Sequence, residues 1–95
     1  MTSIKTSLFN RVEWRVKETG DLHKLDGPAR VYSNGNKEWW FNGKLHRIDG
    51  PAIENSDGLI EWCYKGKFFK SKEEWFDALS KDEQIEYLFK IEGSK

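Results

Sequence analysis

The chain carries one segment twice, and this repeat limits the folds that it can adopt. Residues 22–29 read Leu-His-Lys-Leu-Asp-Gly-Pro-Ala, and residues 45–52 read Leu-His-Arg-Ile-Asp-Gly-Pro-Ala. The offset of 23 residues is maintained further along the chain. A short, sustained period indicates stacked repeat units, because one unit of this size cannot bury its apolar face alone. We therefore expect a continuous surface built from repeats rather than an enzyme active site.

Each repeat is divided by turn signals that contain glycine. The signals are Asn34-Gly35, Asn42-Gly43, Asp57-Gly58 and Lys65-Gly66. Glycine provides the positive φ that tight hairpin turns require. Segments of strand length, rich in aromatic and β-branched residues, lie between them at 29–33, 37–41, 52–55 and 59–64. With an imperfect first copy near 11–17, the pattern predicts an antiparallel β-meander of about six strands.

The polarity of the first hairpin predicts its register. A three-residue loop at 34–36 places Val31 opposite Trp39 and Ala29 opposite Phe41. This register collects the apolar side chains on one face, as a sheet with one buried face requires. The opposite face then carries Arg30, Tyr32, Glu38 and Trp40. The second hairpin is left without a register, because the order of polar and apolar residues is reversed in its first strand.

The last quarter of the chain changes from strand to helix patterning. Two capping boxes, which start helices, are present as Ser71-Lys72-Glu73-Glu74 and Ser80-Lys81-Asp82-Glu83. They predict helices over 72–79 and 81–91 that fold back on the sheet. Phe68 and Phe69 are expected to anchor these helices to the strands, as buried aromatic residues usually do.

Together these patterns predict an α+β fold. The antiparallel β-meander is built from repeats of about 23 residues, and two short C-terminal helices pack on it. A chain of 95 residues is expected to form a single domain over residues 1–95. Residues 11–70 form its β-repeat region, and residues 71–91 form a helical cap.

Composition and charge argue against several classes of protein. Sixteen Lys and Arg residues balance sixteen Asp and Glu residues, which argues against a dedicated binder of nucleic acid or of anionic membranes. Cys63 is the single cysteine, so no disulfide framework is expected and a reducing, cytoplasmic setting is predicted. No apolar run reaches the length of a membrane span or of a signal peptide, so no membrane partner is expected.

The repeated turn motif contains both histidines of the chain. His23 with Asp26, and His46 with Asp49, form the two His–carboxylate pairs. Equivalent positions one repeat apart should be about 10 Å apart, whereas metal–ligand bonds are about 2 Å long. The pairs therefore cannot share an ion, and we expect no metal, no cofactor and no catalytic role. The motif is instead predicted to staple a turn, with the imidazole reaching the Asp and the Asp accepting backbone N–H groups.

Other residues of the repeat region have expected structural roles. Gly27 and Gly50 are expected to permit a sharp turn. Pro28 and Pro51 lack an N–H group, so they suit the start of a strand rather than its centre. Cys63 lies within a strand and is expected to be a buried, unreactive thiol.

Three residues break the repeat and are therefore candidates for function. Arg30, Tyr32 and Trp40 are replaced in the second copy by Ile53, Asn55 and Cys63. On one face, an arginine, a tyrosine and a tryptophan have the composition of a protein-binding hot spot. The alternative is that Leu45, across the Asn42-Gly43 turn, buries Trp40 in a second small core.

The motif L-H-[KR]-x-D-G-P-A, followed by E-W and by N-G-K or K-G-K, resembles a family of short repeat proteins of bacteriophages and large DNA viruses. The resemblance covers about residues 14–70. The run from Gly66 to Trp75 is similar to the usual ending of these proteins. In period and abundance of turns the repeats are distantly similar to MORN repeats. The resemblance implies a viral origin and no catalytic residues, and it carries no agreed activity.

These observations lead to two functional expectations. The first is a non-catalytic protein-binding module of viral type that inhibits or modulates a host defence or regulatory protein. It follows from the absence of a complete catalytic motif and from the aromatic residues that break the repeat. The alternative is a small nucleic-acid-binding protein, because basic and aromatic residues are interleaved from 11 to 70.

Overall fold

The computed structural model describes residues 2–93. Seven strands form one antiparallel sheet in the spatial order β1-β2-β3-β4-β7-β8-β9. Their bounds are β1 Ser3–Ser7, β2 Arg11–Val16, β3 Arg30–Tyr32, β4 Lys37–Glu38, β7 Ile53–Glu54, β8 Ile60–Tyr64 and β9 Lys67–Phe69. A separate ribbon pairs β5 Trp40–Phe41 with β6 Lys44–Leu45, and the helices are α1 Lys72–Ala78 and α2 Lys81–Gly93. The predicted antiparallel β-meander with two C-terminal helices is confirmed.

The two copies of the repeat have matching hydrogen bonds. The Ala29 N–H donates to Glu38 O at 2.9 Å, and the Ala52 N–H donates to Glu61 O at 2.8 Å. In the same way, β8 with β9 is the counterpart, 23 residues later, of the β5–β6 ribbon. The sequence period is therefore also a geometric period.

The N-terminal strand β1 was not expected from the sequence. It pairs with β2 from Ser3 opposite Val16 to Ser7 opposite Val12. Its sequence, Ser-Ile-Lys-Thr-Ser, has few of the residues that favour strands. It forms because β2 presents a free edge to which the preceding chain can return through a tight turn. The meander thus begins one strand earlier than the repeat does.

The predicted register of the first hairpin is wrong by two residues. Val31 lies opposite Lys37, not opposite Trp39. The loop ends at Gly35, whose φ of 96° fits the left-handed position that closes a three-residue hairpin loop. The Trp39 N–H donates to Ala52 O at 2.7 Å, so this tryptophan pairs with the next repeat. A shift of two residues keeps the side chains of β3 and β4 on their predicted faces, whereas Trp40 and Phe41 leave this sheet for the β5–β6 ribbon.

Both predicted serine caps are formed, and the second is a complete capping box, whereas at the first Glu74 Oε2 accepts the Lys70 N–H at 3.4 Å instead of the Ser71 N–H. The Glu74 N–H donates to Ser71 Oγ at 3.1 Å, and the Glu83 N–H donates to Ser80 Oγ at 3.2 Å. The Ser80 N–H in turn donates to Glu83 Oε1 at 2.8 Å, which completes the reciprocal pair of a capping box. The two helices therefore begin where the sequence predicted.

The main core lies between the two helices and the second repeat. Trp75, Leu79 and Tyr87 are buried there. The strand-side residues that pack against them are Ile48, Trp62, Tyr64 and Phe69. Trp75 stacks on Trp62 with ring centroids 4.7 Å apart. Phe69 is thus an anchor as expected, whereas Phe68 is exposed, because neighbouring residues of a strand point to opposite faces.

Candidate functional site

The histidines of the repeated motif bond to a turn, but not to the turn that contains them. His23 Nδ1 accepts the Asn42 N–H at 3.0 Å, and His46 Nδ1 accepts the Lys65 N–H at 2.9 Å. Asn42 and Lys65 have φ angles of 49° and 52°, and a glycine with positive φ follows each, as in a type I′ hairpin turn. Each imidazole therefore holds the hairpin turn 19 residues further along. The expected bond from imidazole to Asp is not formed.

The carboxylates of the motif have different environments in the two copies. Asp49 accepts bonds from Arg47 Nε at 2.7 Å and from Lys90 Nζ at 3.1 Å. Burial opposes ionisation of Asp49, but these two cations lower its pKa below the ordinary value. Asp26 is exposed. The predicted bonds from backbone N–H groups to these carboxylates are therefore absent among residues 2–93, and a cation takes their place at Asp49.

Close approach of a neighbouring side chain favours glycine at one of the two motif positions. A Cβ at Gly50 would lie 2.7 Å from Arg47 Cζ, whereas a Cβ at Gly27 would lie 3.6 Å from Lys24 Nζ, which is ordinary contact. Neither glycine has a positive φ, so the backbone conformation of the turn does not itself require glycine at either position. The Arg47 guanidinium stacks on Trp39 at 3.8 Å. Pro28 and Pro51 each lie two residues before a strand, β3 and β7 respectively, and so precede the strands as expected.

An aromatic ladder joins the two histidines. Phe41 lies between His23 and His46, at centroid distances of 4.6 Å and 5.7 Å. Tyr64 follows at 5.1 Å from His46. The Tyr64 hydroxyl donates to Glu83 Oε1 at 2.6 Å, and this bond raises the pKa of Tyr64 to about 12. Because each His Nδ1 is already an acceptor, these imidazoles act as structural residues of the repeat.

The three repeat-breaking residues do come together. Arg30 Cζ lies 5.9 Å from the Trp40 ring centroid, and Arg30 Nη1 lies 3.5 Å from the Tyr32 hydroxyl oxygen. Arg30 and Trp40 both donate to Glu38 Oε1, at 3.2 Å and 3.0 Å. All four side chains are half-buried. Trp40 also lies opposite Leu45 in the β5–β6 ribbon, which places the two side chains on one face of the ribbon, and both residues remain half-buried.

A buried glutamate beside this cluster escaped the sequence analysis. Glu13 is 3% exposed and accepts bonds from Arg11 at 2.9 Å, Arg15 at 3.2 Å and Arg30 at 2.8 Å. Burial opposes its ionisation, but the hydrogen bonds from the arginines outweigh this and lower the pKa of Glu13 to about 2. The alternation Arg11-x-Glu13-x-Arg15 on one strand face was the signal that could have revealed it.

Cys63 has the environment of an unreactive thiol. It is fully buried and forms no disulfide. Burial raises its pKa to about 11, and the Glu61 carboxylate acts in the same direction. Among residues 2–93, no group of three or more His, Cys, Asp or Glu side chains is placed to hold a metal ion.

A groove of about 590 Å3 lies between the two turn motifs and α2. Residues 24–28 and 46–49 line two sides, and Glu86 and Lys90 of α2 line a third. Leu25 also lines the groove and is 80% exposed. This volume falls within the range of ligand pockets, about 300–1,000 Å3. The groove could not be predicted from the sequence, because its third side depends on where α2 packs.

No protein-family model, no curated protein and no solved structure matches this chain. Within residues 2–93, no helix is both long enough and apolar enough to cross a membrane. The function must therefore be inferred from the geometry of the chain itself.

Proposed function

We propose that this protein is a non-catalytic protein-binding module. The supporting observation is the set of large apolar side chains that remain exposed around a rigid sheet. Phe9 at the tip of the β1–β2 hairpin, Leu25 in the groove and Phe89 on α2 are the most exposed of these. Exposed apolar residues that are grouped in a patch or groove commonly mark a site of protein association, and Leu25 and Phe41, both exposed, are grouped in this way in the groove. Hairpin turns stapled by His23 and His46 would present this surface at little ordering cost.

The charges of the chain favour a protein over a nucleic acid as partner. All four arginines, Arg11, Arg15, Arg30 and Arg47, pair with carboxylates. The rings of Trp14 and Trp39 are covered by Lys24 at 4.2 Å and by Arg47 at 3.8 Å. At these positions the arginine side chains are therefore not free to neutralise phosphates, and the covered tryptophan faces are not free to stack on bases. A mobility-shift assay with single-stranded RNA and DNA at low and at moderate salt should show no salt-dependent complex.

The resemblance of the repeats to viral proteins directs the proposal to a host partner. The module would act inside the infected cell, where it would inhibit or modulate a defence or regulatory protein. This part of the proposal rests on the family resemblance and on no individual residue. Capture from host lysate on the immobilised protein, followed by mass spectrometry, tests it.

The Arg30–Tyr32–Trp40 cluster is the first surface to test within the captured complex. Tyr32→Ala and Trp40→Ala should each weaken the complex by at least about 1–2 kcal/mol. The matched control is Asn55→Ala, at the position that corresponds to Tyr32 in the second repeat. Unchanged melting temperatures must accompany the loss of binding. Normal binding by both variants would exclude this face, and capture of no protein by the unaltered chain would remove the main support for the module.

A further inference from the structure

The groove is the first-repeat counterpart of the surface on which the helices dock. The helical core packs on Ile48, Trp62, Tyr64 and Phe69. The residues 23 positions earlier are Leu25, Trp39, Phe41 and His46, and all four line the groove. The backbone hydrogen bonds of the two repeats also correspond. The two sets of four residues therefore form surfaces of similar shape. The second copy is covered by α1 and α2, whereas the first is open.

The backbone acceptors of the docking surface are repeated as well. The Trp75 indole N–H donates to Arg47 O at 3.1 Å and to Cys63 O at 3.2 Å. The corresponding carbonyls in the first repeat are those of Lys24 and Trp40. Trp40 O accepts the Lys24 N–H at 3.2 Å, just as Cys63 O accepts the Arg47 N–H at 3.4 Å. Among residues 2–93, no side chain donates to the carbonyl of Lys24 or of Trp40.

Two differences between the copies indicate the chemistry of the missing occupant. Ile48 is covered by the helical core, whereas Leu25 is 80% exposed. Asp49 is paired with Lys90 of α2, whereas Asp26 is exposed. The first repeat thus offers an uncovered apolar residue and an exposed carboxylate at the positions where the second repeat contacts its own helices.

We infer that the groove binds an amphipathic helical segment of a partner protein, anchored by a tryptophan and carrying a lysine or arginine beside it. The tryptophan packs against Leu25 and Phe41 and donates its indole N–H to the carbonyls of Lys24 and Trp40. The incoming tryptophan also lies beside the Arg47 guanidinium that stacks on Trp39, and it forms a cation–π contact with this guanidinium. The basic residue pairs with Asp26. The groove accommodates anchor side chains rather than an entire helix, and α2 bounds it on one side.

This inference rests on the proposed protein-binding function and names the occupant of one surface. The probe is a synthetic peptide with the sequence of residues 71–91 of this same chain, which carries Trp75 and Lys90. Added to the intact isotope-labelled protein, it should shift the NMR signals of Leu25 and Phe41 with micromolar affinity. The signals of Leu79 and Tyr87 should stay in place, since the resident helices are not displaced.

Matched variants make the test specific. Leu25→Ala should weaken peptide binding at least tenfold, whereas Leu59→Ala, at an exposed leucine outside the groove, should leave it unchanged. A peptide with Trp75→Ala should also bind at least tenfold more weakly. Absence of shifts at millimolar peptide, shifts at Leu79 and Tyr87 instead, or equal binding by Leu25→Ala would overturn the inference. Dimerisation of the protein in the absence of peptide, if Leu25→Ala abolishes it, would also overturn the inference.

The experiments distinguish a wrong binding site from a wrong function. A host protein captured equally well by Leu25→Ala and by the unaltered chain would leave the module in place and overturn the groove as its binding site. The absence of any captured partner would count against the module, while the peptide titration would still report on the groove.

Discussion

Glu13 provides the most quantitative test of how this fold is stabilised. The change is Glu13→Gln, which removes the negative charge that three arginines share. The pKa of this buried carboxyl is lowered from 4.5 to about 2, which corresponds to about 3 kcal/mol of stability at neutral pH. The glutamine oxygen still accepts a hydrogen bond, so we expect a loss of about 2–3 kcal/mol at pH 7.

The loss should depend on pH in a defined window. Because the folded-state pKa lies below the unfolded value, the contribution of Glu13 is fully present above pH 4.5 and is lost as the pH falls towards about 2. The unaltered protein should therefore lose about 3 kcal/mol over this interval that the variant does not lose. The two free energies of unfolding should converge near the acid end.

Urea unfolding followed by tryptophan fluorescence at pH 7, 4 and 2 measures both effects. The matched control is Glu61→Gln, since Glu61 is a half-buried strand glutamate that, like Glu13, directly precedes a tryptophan, but it forms no ion pair with any described residue. It should cost less than about 0.5 kcal/mol. A loss below about 1 kcal/mol for Glu13→Gln at pH 7, or a loss that is the same at every pH, would refute the reasoning.

Three further predictions follow from the repeat. Gly50→Ala should lower the melting temperature by about 5 °C, because the added Cβ displaces the Arg47 guanidinium. Gly27→Ala should change the melting temperature far less, because the nearest neighbour of its added Cβ is 3.6 Å away. Thermal unfolding followed by circular dichroism compares the two variants. Cys63, buried and with its pKa raised to about 11, should react with iodoacetamide at least about 100-fold faster in urea than in the native protein, and equal rates by mass spectrometry would contradict its burial. Burial lowers the pKa of His46 below 6.5, so stability should fall as pH drops below that value; His46→Phe should reduce this dependence, and an NMR titration midpoint above 6.5 would contradict the direction.

The turns and helix starts could be predicted because their causes are local. Gly35 and Gly58 have φ angles of 96° and 94° and close the two long hairpins where the turn signals stood. Ser71 and Ser80 accept the N–H groups three residues ahead. A few neighbouring residues are enough to specify such features, so a sequence pattern identifies them.

The roles of the repeated residues could not be predicted from neighbours alone. The nearest carboxylate in sequence suggested a bond from His46 to Asp49, but the imidazole bonds to the Lys65 N–H. The tight hairpin that contains Lys65 leaves its N–H group without a backbone partner in the turn, and the motif at the start of the same repeat supplies the acceptor. Such a bond depends on how the two ends of one repeat fold onto each other, which spacing within the eight-residue motif does not reveal.

The sequence by itself determined the repeat, the antiparallel meander and the two helices, because period, glycine turns and capping boxes act over a few residues. Only the tertiary structure decided which of two similar surfaces is covered. Trp75 bonds to the carbonyls of Arg47 and Cys63 in the second repeat, and the helices extend no further than this repeat and its edge of the groove. The first repeat has the same kind of surface, but the two helices pack on the second repeat, and so Leu25 remains exposed at the groove.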